Sequence, residues 1–426
     1  MVVLTMFIVL LLLLAVNVPI AIALAVTTII AMVSAHGTNF LIDTAIVMFD
    51  GSMNFPLIAI PLFILAGAIM NSSGISRRLI AFASALVGFV KGGLSMITIA
   101  ASMFFAEISG SAVADVAALG SILIPAMKKK GYPAPFAAAV CSSAASLAVI
   151  IPPSIPMILY AVMAQTSVVQ LFVAGIIPGI IGGFGMMFVS YIYAKRKNLP
   201  IEEKFNLPNL RKTGKEAALA FILPVVILGG IFGGFVTATE GAGLAVVAAL
   251  IIGAIYRELN FQKLFEATTE CGAQTAIVML LVASSVLIGE FLTIEQVPQK
   301  VAASIIDFTS NKYAILAILN VFLLIIGFFL HSAAAIILVI PIVMPLIQIA
   351  GIDPIHFGII VTLNLAIGQQ TPPVASVLVT ACSVAKADIW EVSKTNIMFV
   401  AVLFVVLMLV TYVPVVPMSL VELFYR

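Results

Sequence analysis

The sequence predicts an all-α polytopic membrane protein built as an inverted repeat, with about five spans, one re-entrant hairpin and one broken helix in each half. Three observations carry this. Of 426 residues, 63% are hydrophobic and 9% charged, against roughly 25% charged in soluble domains, and apolar runs long enough to span a bilayer recur along the chain. Seven of the 20 Lys and Arg residues fall between Lys195 and Lys215, which places this stretch, 195–216, in the cytoplasm as a basic linker between two halves, 1–194 and 217–426. A shift of 220 residues aligns Pro125 with Pro345, Gly131 with Gly351 and Pro152–Pro153 with Pro372–Pro373, the only two Pro-Pro pairs in the chain.

In the first half, residues 1–16 and 20–34 read as two short spans turning near Asn17–Pro19. The apolar start, with no basic n-region and no small-residue cleavage site, reads as a retained membrane segment. Residues 36–54 hold Asp43 and Asp50 and no Lys or Arg, which suits the outside, and 55–75 return to Arg77–Arg78. The stretch 77–91, too short to cross twice, reads as an interfacial arm. Two apolar limbs follow, near 94–107 and 112–127, within a hairpin over 92–130 whose bases carry Lys91 and Lys128–Lys130. Limbs of about 14–16 residues reach only ~21–24 Å, short of a ~30 Å hydrocarbon core, so this hairpin is re-entrant from the cytoplasm. The broken helix 135–165 crosses outward and 168–194 returns.

The second half repeats the order: spans 217–235 and 239–256, a span at 272–290, an arm at 294–311, a hairpin at 312–350, a broken helix at 355–385 and a last span at 395–418. About five crossings per half is an odd number, so the second half is inverted relative to the first. Inverted repeats with discontinuous helices mark secondary transporters, whose sites lie at the midplane.

Candidate site residues sit at the tips and breaks. Ser109, Gly110 and Ser111 make a small polar turn at membrane depth, where hydroxyls and open carbonyls offer hard oxygen ligands to an alkali cation; a tightly packed hairpin turn is the alternative. Ser142, Ser143 and Ser146 precede the first break, where the prolines free the carbonyls around Ile151 and Pro152. The second tip is His331–Ser332. Asn364, Gly368, Gln369, Gln370 and Thr371 lead into the second break and form the most polar cluster expected inside the bilayer. Neutral amides there can bind a polar solute without burying an uncompensated charge; helix-to-helix amide bonding is the other reading. Glu107 and Asp115 flank the first tip, either as functional acids or as caps of the limb. Glu240 in "TATEGAG" reads as part of a capping box.

Other functions are excluded. No Walker P-loop, HExxH or GxSxG occurs, so ATP hydrolysis and the common hydrolase chemistries have no machinery here. Cys141, Cys271 and Cys382 are too few and too scattered for a disulfide framework or structural metal, and no nucleic-acid motif appears. A passive solute or ion channel is the competing class.

The strings "SGSAVADVAALGSILIPAMKKKGY", "PPS", "TATEGA" and "QTPPV" resemble the large membrane subunit of the tripartite ATP-independent periplasmic (TRAP) transporters, the likeness covering essentially the whole chain and including the layout of the sialic-acid branch. The resemblance implies an elevator-type fold with a scaffold and a moving transport part. It implies sodium-coupled uptake of an organic acid (a C4-dicarboxylate, a keto acid or sialic acid) across the bacterial cytoplasmic (inner) membrane. It also implies two partners, a small four-helix membrane subunit and a periplasmic substrate-binding protein. Two sodium ions are expected, one between Ser109–Ser111 and Ile151–Pro152, the other among His331, Ser332, Gly368, Gln370 and Thr371. The substrate is expected near Ser111, Ser146, Asn364, Gln369 and Thr371. The chain departs from the family in having His331 where members often carry an acid, and Ala375 where they often carry Gly.

Overall fold

The computed structural model describes residues 2–16, 18–38, 40–109, 111–372 and 374–425, with every side chain among them except those of residues 15 and 107–109. Gly110 of the expected cation site, Pro373 and Asn17 therefore lie outside the described residues, as do the side chains of Glu107 and Ser109. The described chain is helical, without a strand, and a helix satisfies every backbone group internally, as lipid requires. Eight of its helices are long and apolar enough to cross a membrane.

The first half opens with α1 (Val2–Ala15) and α2 (Ile20–His36), the latter starting after Pro19, a residue suited to a helix start because its missing N–H has no helical partner there. Helix α3 (Phe40–Ser52) occupies the stretch expected as an outer connection. A 3-10 turn at Phe55–Ile58, with Pro56 in its first turn, then leads into α4 (Ala59–Ser72). The arm is α5 (Ile75–Val87), entered through Gly74 at φ +71. It buries Ile75, Leu79 and Ala83 at a spacing of four and presents Arg77 and Arg78 elsewhere. Arg78 pairs with Glu258 at 2.8 Å and lies over the Tyr256 ring, 3.7 Å from its centroid.

The first hairpin is α6 (Gly93–Ser109), α7 (Ala112–Asp115) and α8 (Ser121–Lys129), its second limb interrupted by a π-helical turn at Val116–Gly120. Its base is tied to the linker by Lys130–Glu202 at 3.4 Å and by the Tyr132 hydroxyl donating to Pro200 O at 3.4 Å. Burial pushes the Tyr132 phenol up to about 12, so it stays a neutral donor at physiological pH. Then come α9 (Ala134–Ala145), a 3-10 turn at Ser146–Val149, a non-helical link holding Pro152 and Pro153, α10 (Ile155–Met163) and α11 (Val168–Arg196).

The second half comprises α12 (Leu207–Phe232), α13 (Ala238–Ile255), α14 (Phe261–Ile294), α15 (Val297–Phe308), α16 (Lys312–Phe329), α17 (Ser332–Ile349), α18 (Pro354–Gly368), α19 (Ser376–Ala385), α20 (Ile389–Tyr412) and α21 (Val415–Tyr425). Helix α12 starts at Leu207, inside the basic stretch 195–216. The capping box of Thr237 and Glu240 is present: each residue bonds the other's backbone N–H, at 2.8 and 3.2 Å.

The 220-residue offset is built into the elements. Helices α7 and α17 start 220 residues apart, at Ala112 and Ser332, and so do α9 and α18, at Ala134 and Pro354. Helix α14 corresponds to α3, the 3-10 turn and α4 fused into one rod of 34 residues. Packing follows the same exchange, since α4 lies on α13 while α14 lies on α2. Helices α1–α4 and α12–α14 associate on one side. The hairpins, broken helices, α11 and α20 associate on the other, with α5 and α15 packed against the hairpins.

Candidate functional site

The two tips and the two breaks meet in one cavity of about 410 Å³. Its polar lining is Ser111 from the first tip, His331 and Ser332 from the second, Gln369 from the second break and Gln274 from α14. Its apolar lining includes Val149, Ile155 and Pro156 of the first break, with Ile64 of α4 and Ile277 and Val278 of α14. A void of this size lies within the ~300–1,000 Å³ of small-molecule sites. Because both tips reach it, both hairpins end at one depth, although the 18-residue limbs α16 and α17 are by length and apolarity sufficient to cross. Two further voids between the first hairpin, α4 and α14, of about 440 and 80 Å³, share Ser111 and Gln274 with it and add Asn71 and Glu270, extending it toward the α4 end that precedes Arg77 and Arg78. A separate cavity between α1 and α2, of about 210 Å³, touches neither tip nor break.

Local chemistry explains each break. At the first, Ser154 caps α10, accepting from Met157 N at 3.4 Å and donating to Val149 O at 2.8 Å. One freed carbonyl is thus satisfied by the chain itself, and Leu147 O accepts from Ile150 N and Ile151 N at 2.9 and 2.7 Å. At the second, Gly368 comes so close to Gly327 that a Cβ on it would stand 2.5 Å from the Gly327 carbonyl carbon. Val374 N donates to Phe328 O at 3.2 Å, and this bonds the break to the hairpin beside its tip.

Two buried polar networks hold the breaks. Asn364 Nδ2 donates to Asn320 Oδ1 at 2.7 Å and to Ile360 O at 2.8 Å, and Asn320 Nδ2 donates to Thr411 Oγ1 at 3.0 Å. Ser143 Oγ lies 2.6 Å from both Gln370 Oε1 and Asn396 Oδ1, while Gln370 Nε2 donates to Ala366 O. These bonds join α18 to α16 and α20, and α9 to the second break and α20.

The cavity thus brings together Ser111, Gln369, His331 and Ser332 of the expected residues. Ser146 and Thr371 do not line it; their hydroxyls bond Ser142 O and Ile367 O one turn back on their own helices. Asn364 and Gln370 belong to the networks beside it. Ile151 and Pro152 lie in the first break, away from the lining. Asp115 is fully buried at the end of α7. Sequence reasoning missed the scaffold wall, Ile64, Gln274 and Ile277, and the network partners Asn320 and Asn396. A glutamine or asparagine inside an apolar run, as in "CGAQTAIVML" and "AILNVFLL", is the signal that was available.

The donor set suits an alkali cation. Among the described residues no group of three His, Cys, Asp or Glu could hold a transition metal. Asn364 Oδ1, at the second break, is buried without a hydrogen-bond partner, a hard oxygen with no donor to satisfy it.

A family profile described as the tripartite ATP-independent periplasmic transporter, DctM component, matches residues 7–416. The isethionate TRAP transporter permease protein DctMQ of Oleidesulfovibrio alaskensis is 42% identical over 391 residues, 91% of this chain, and the chain spans 62% of that relative's length. The C4-dicarboxylate TRAP transporter large permease protein DctM of Pseudomonas aeruginosa is 39% identical over 88% of each chain, and the sialic acid TRAP transporter large permease protein SiaM of Vibrio cholerae is 35% identical over 92% of each. Among solved structures, the YdaH transporter of Alcanivorax borkumensis superposes with a TM-score of 0.64 over 89% of each chain at 16% identity, a likeness of fold.

Proposed function

The chain belongs to the family of DctM components of tripartite ATP-independent periplasmic transporters, and on that premise we propose that it takes up a small organic acid across the cytoplasmic membrane by sodium symport. The observation that supports this best is the meeting of both tips and the second break at Gln369 in one cavity between two groups of helices. A site at such a joint can be carried from one face to the other when one group slides against the other, which is the elevator movement. Sodium supplies the gradient that drives uptake. Asn364, Ser332 and the carbonyls around Gly368 would hold one ion, and the first tip with Ile151 and Pro152 a second. The substrate is received from a periplasmic binding protein, and a small membrane subunit supports the scaffold.

Proteoliposomes holding this chain and its small subunit, supplied with the binding protein, test the reading. Uptake is expected to exceed equilibrium with inward sodium and to stop without it. Replacing Gln369 and Ser332 together by Ala is expected to cut the rate at least tenfold with membrane insertion unchanged. Uptake that only equilibrates and ignores sodium would show a channel instead.

A further inference from the structure

The central cavity has one polar and one apolar half, and the repeat explains the division. Under the 220-residue offset Gln369 corresponds to Val149, Ser332 to Ala112 and Ala333 to Val113, all of them lining residues. The second repeat therefore brings an imidazole, a hydroxyl and a primary amide, whereas the first brings the single hydroxyl of Ser111 among aliphatic groups. The polar three are held together, because the Val374–Phe328 bond and the Gly327–Gly368 contact fix the break against the hairpin just before His331. Gln369 Nε2 is buried with no acceptor, and a carboxylate oxygen is the partner such a donor lacks. Helix α17 begins at Ser332, and the first turn of a helix favours an anion.

The rest of the wall offers a second anion no charged partner and few donors. No Lys or Arg is among the described lining residues. Gln274 donates one amide N–H to Glu270 Oε1 at 3.1 Å, which leaves its other N–H beside an acidic side chain, a poor place for a second anion. A second carboxylate would lie against Val149 and Ile155, buried 2% and 8% exposed, where a charge stays unpaired. A polyhydroxylated acid would leave its hydroxyls without partners there.

We propose that the substrate is a monocarboxylate with an apolar body, its head on His331, Ser332 and Gln369 and its body against Val149, Ile155 and Ile64. This rests on the transport reading above. The test is stabilisation of the chain in complex with its small subunit, in nanodiscs with sodium, by 4-methylpentanoate, succinate and N-acetylneuraminate. Half-maximal stabilisation by 4-methylpentanoate is expected at a concentration at least tenfold below those of the other two. Gln369→Leu is expected to weaken that response at least tenfold, and Val149→Gln, which supplies the missing repeat-related amide, to bring succinate within threefold. A preference for succinate or N-acetylneuraminate overturns the substrate class and leaves the transport reading standing. If none of the three acts while sodium-driven uptake by the assembled system proceeds, this inference alone falls; if uptake fails too, the transport reading falls with it.

Discussion

Single residues separate what this site binds with from what it is built with. Ser146 and Thr371 bear hydroxyls beside the breaks, yet each spends its hydrogen on its own helix, as Ser and Thr commonly do in apolar helices. Their sequence positions pointed to the site; only the rotamer shows that they turn away from it. Asn320 is the opposite case, a network partner on the first limb of the second hairpin. Asn320→Leu removes the acceptor of Asn364 Nδ2 and the donor to Thr411 at once. It is expected to cost about 1–3 kcal/mol, measured as a fall in the unfolding midpoint of the detergent-purified chain. Ala375 caps α19 at φ +44, a left-handed conformation that costs a residue with a Cβ roughly 1–2 kcal/mol. Ala375→Gly is expected to raise the same midpoint; a lowered midpoint would mean that this backbone is not strained. The departure from the family at this position thus has a measurable consequence.

At the scale of elements, the hairpins, arms and breaks were legible because their signals are local and duplicated. The helix starts near Lys312 and Asp353, the first proline pair and the Thr237–Glu240 box each mark an end that the structure keeps. Three features were not legible. Helix α3 is only 13 residues long and carries Asp43 and Asp50, so it reads as an outer connection; it forms against α14. The π-helical turn after Asp115 has no dedicated residue pattern, since one inserted residue costs little when neighbours take up the slack. The joint between α16 and the second break is set by two glycines that no periodicity reveals. Gly368→Ala would place a Cβ 2.5 Å from the Gly327 carbonyl carbon, backbone against backbone, with no flexible side chain to yield. It is expected to abolish uptake and lower the unfolding midpoint, whereas Gly272→Ala, with open space around it, leaves both unchanged.

At the scale of the whole molecule, the repeat gives two helix groups and the cavity lies where they face each other. The elevator reading then makes a demand on distance. On that reading Ser111 would travel with the first hairpin while Gln274 would stay with α14, though both line one cavity in this structure. Cysteines introduced at these two positions are expected to cross-link under mild oxidation and arrest uptake, and reduction is expected to restore it; a cross-linked carrier that still accumulates substrate would exclude relative movement there. Helix α14 also ties the molecule to its surroundings. Its 34 residues make a rod of ~51 Å, far longer than ~30 Å of hydrocarbon. The polar start from Phe261 to Glu270 can stand in the headgroups. The 19 residues from Cys271 to Gly289, ahead of the exposed Glu290, measure ~29 Å and match the hydrocarbon thickness. In the first half the equivalent stretch is cut by Pro56 and can bend to any thickness, but the fused rod cannot. A thinner bilayer would therefore lean the wall that carries Gln274 instead of bending it, and bilayer thickness becomes a control on the width of the site.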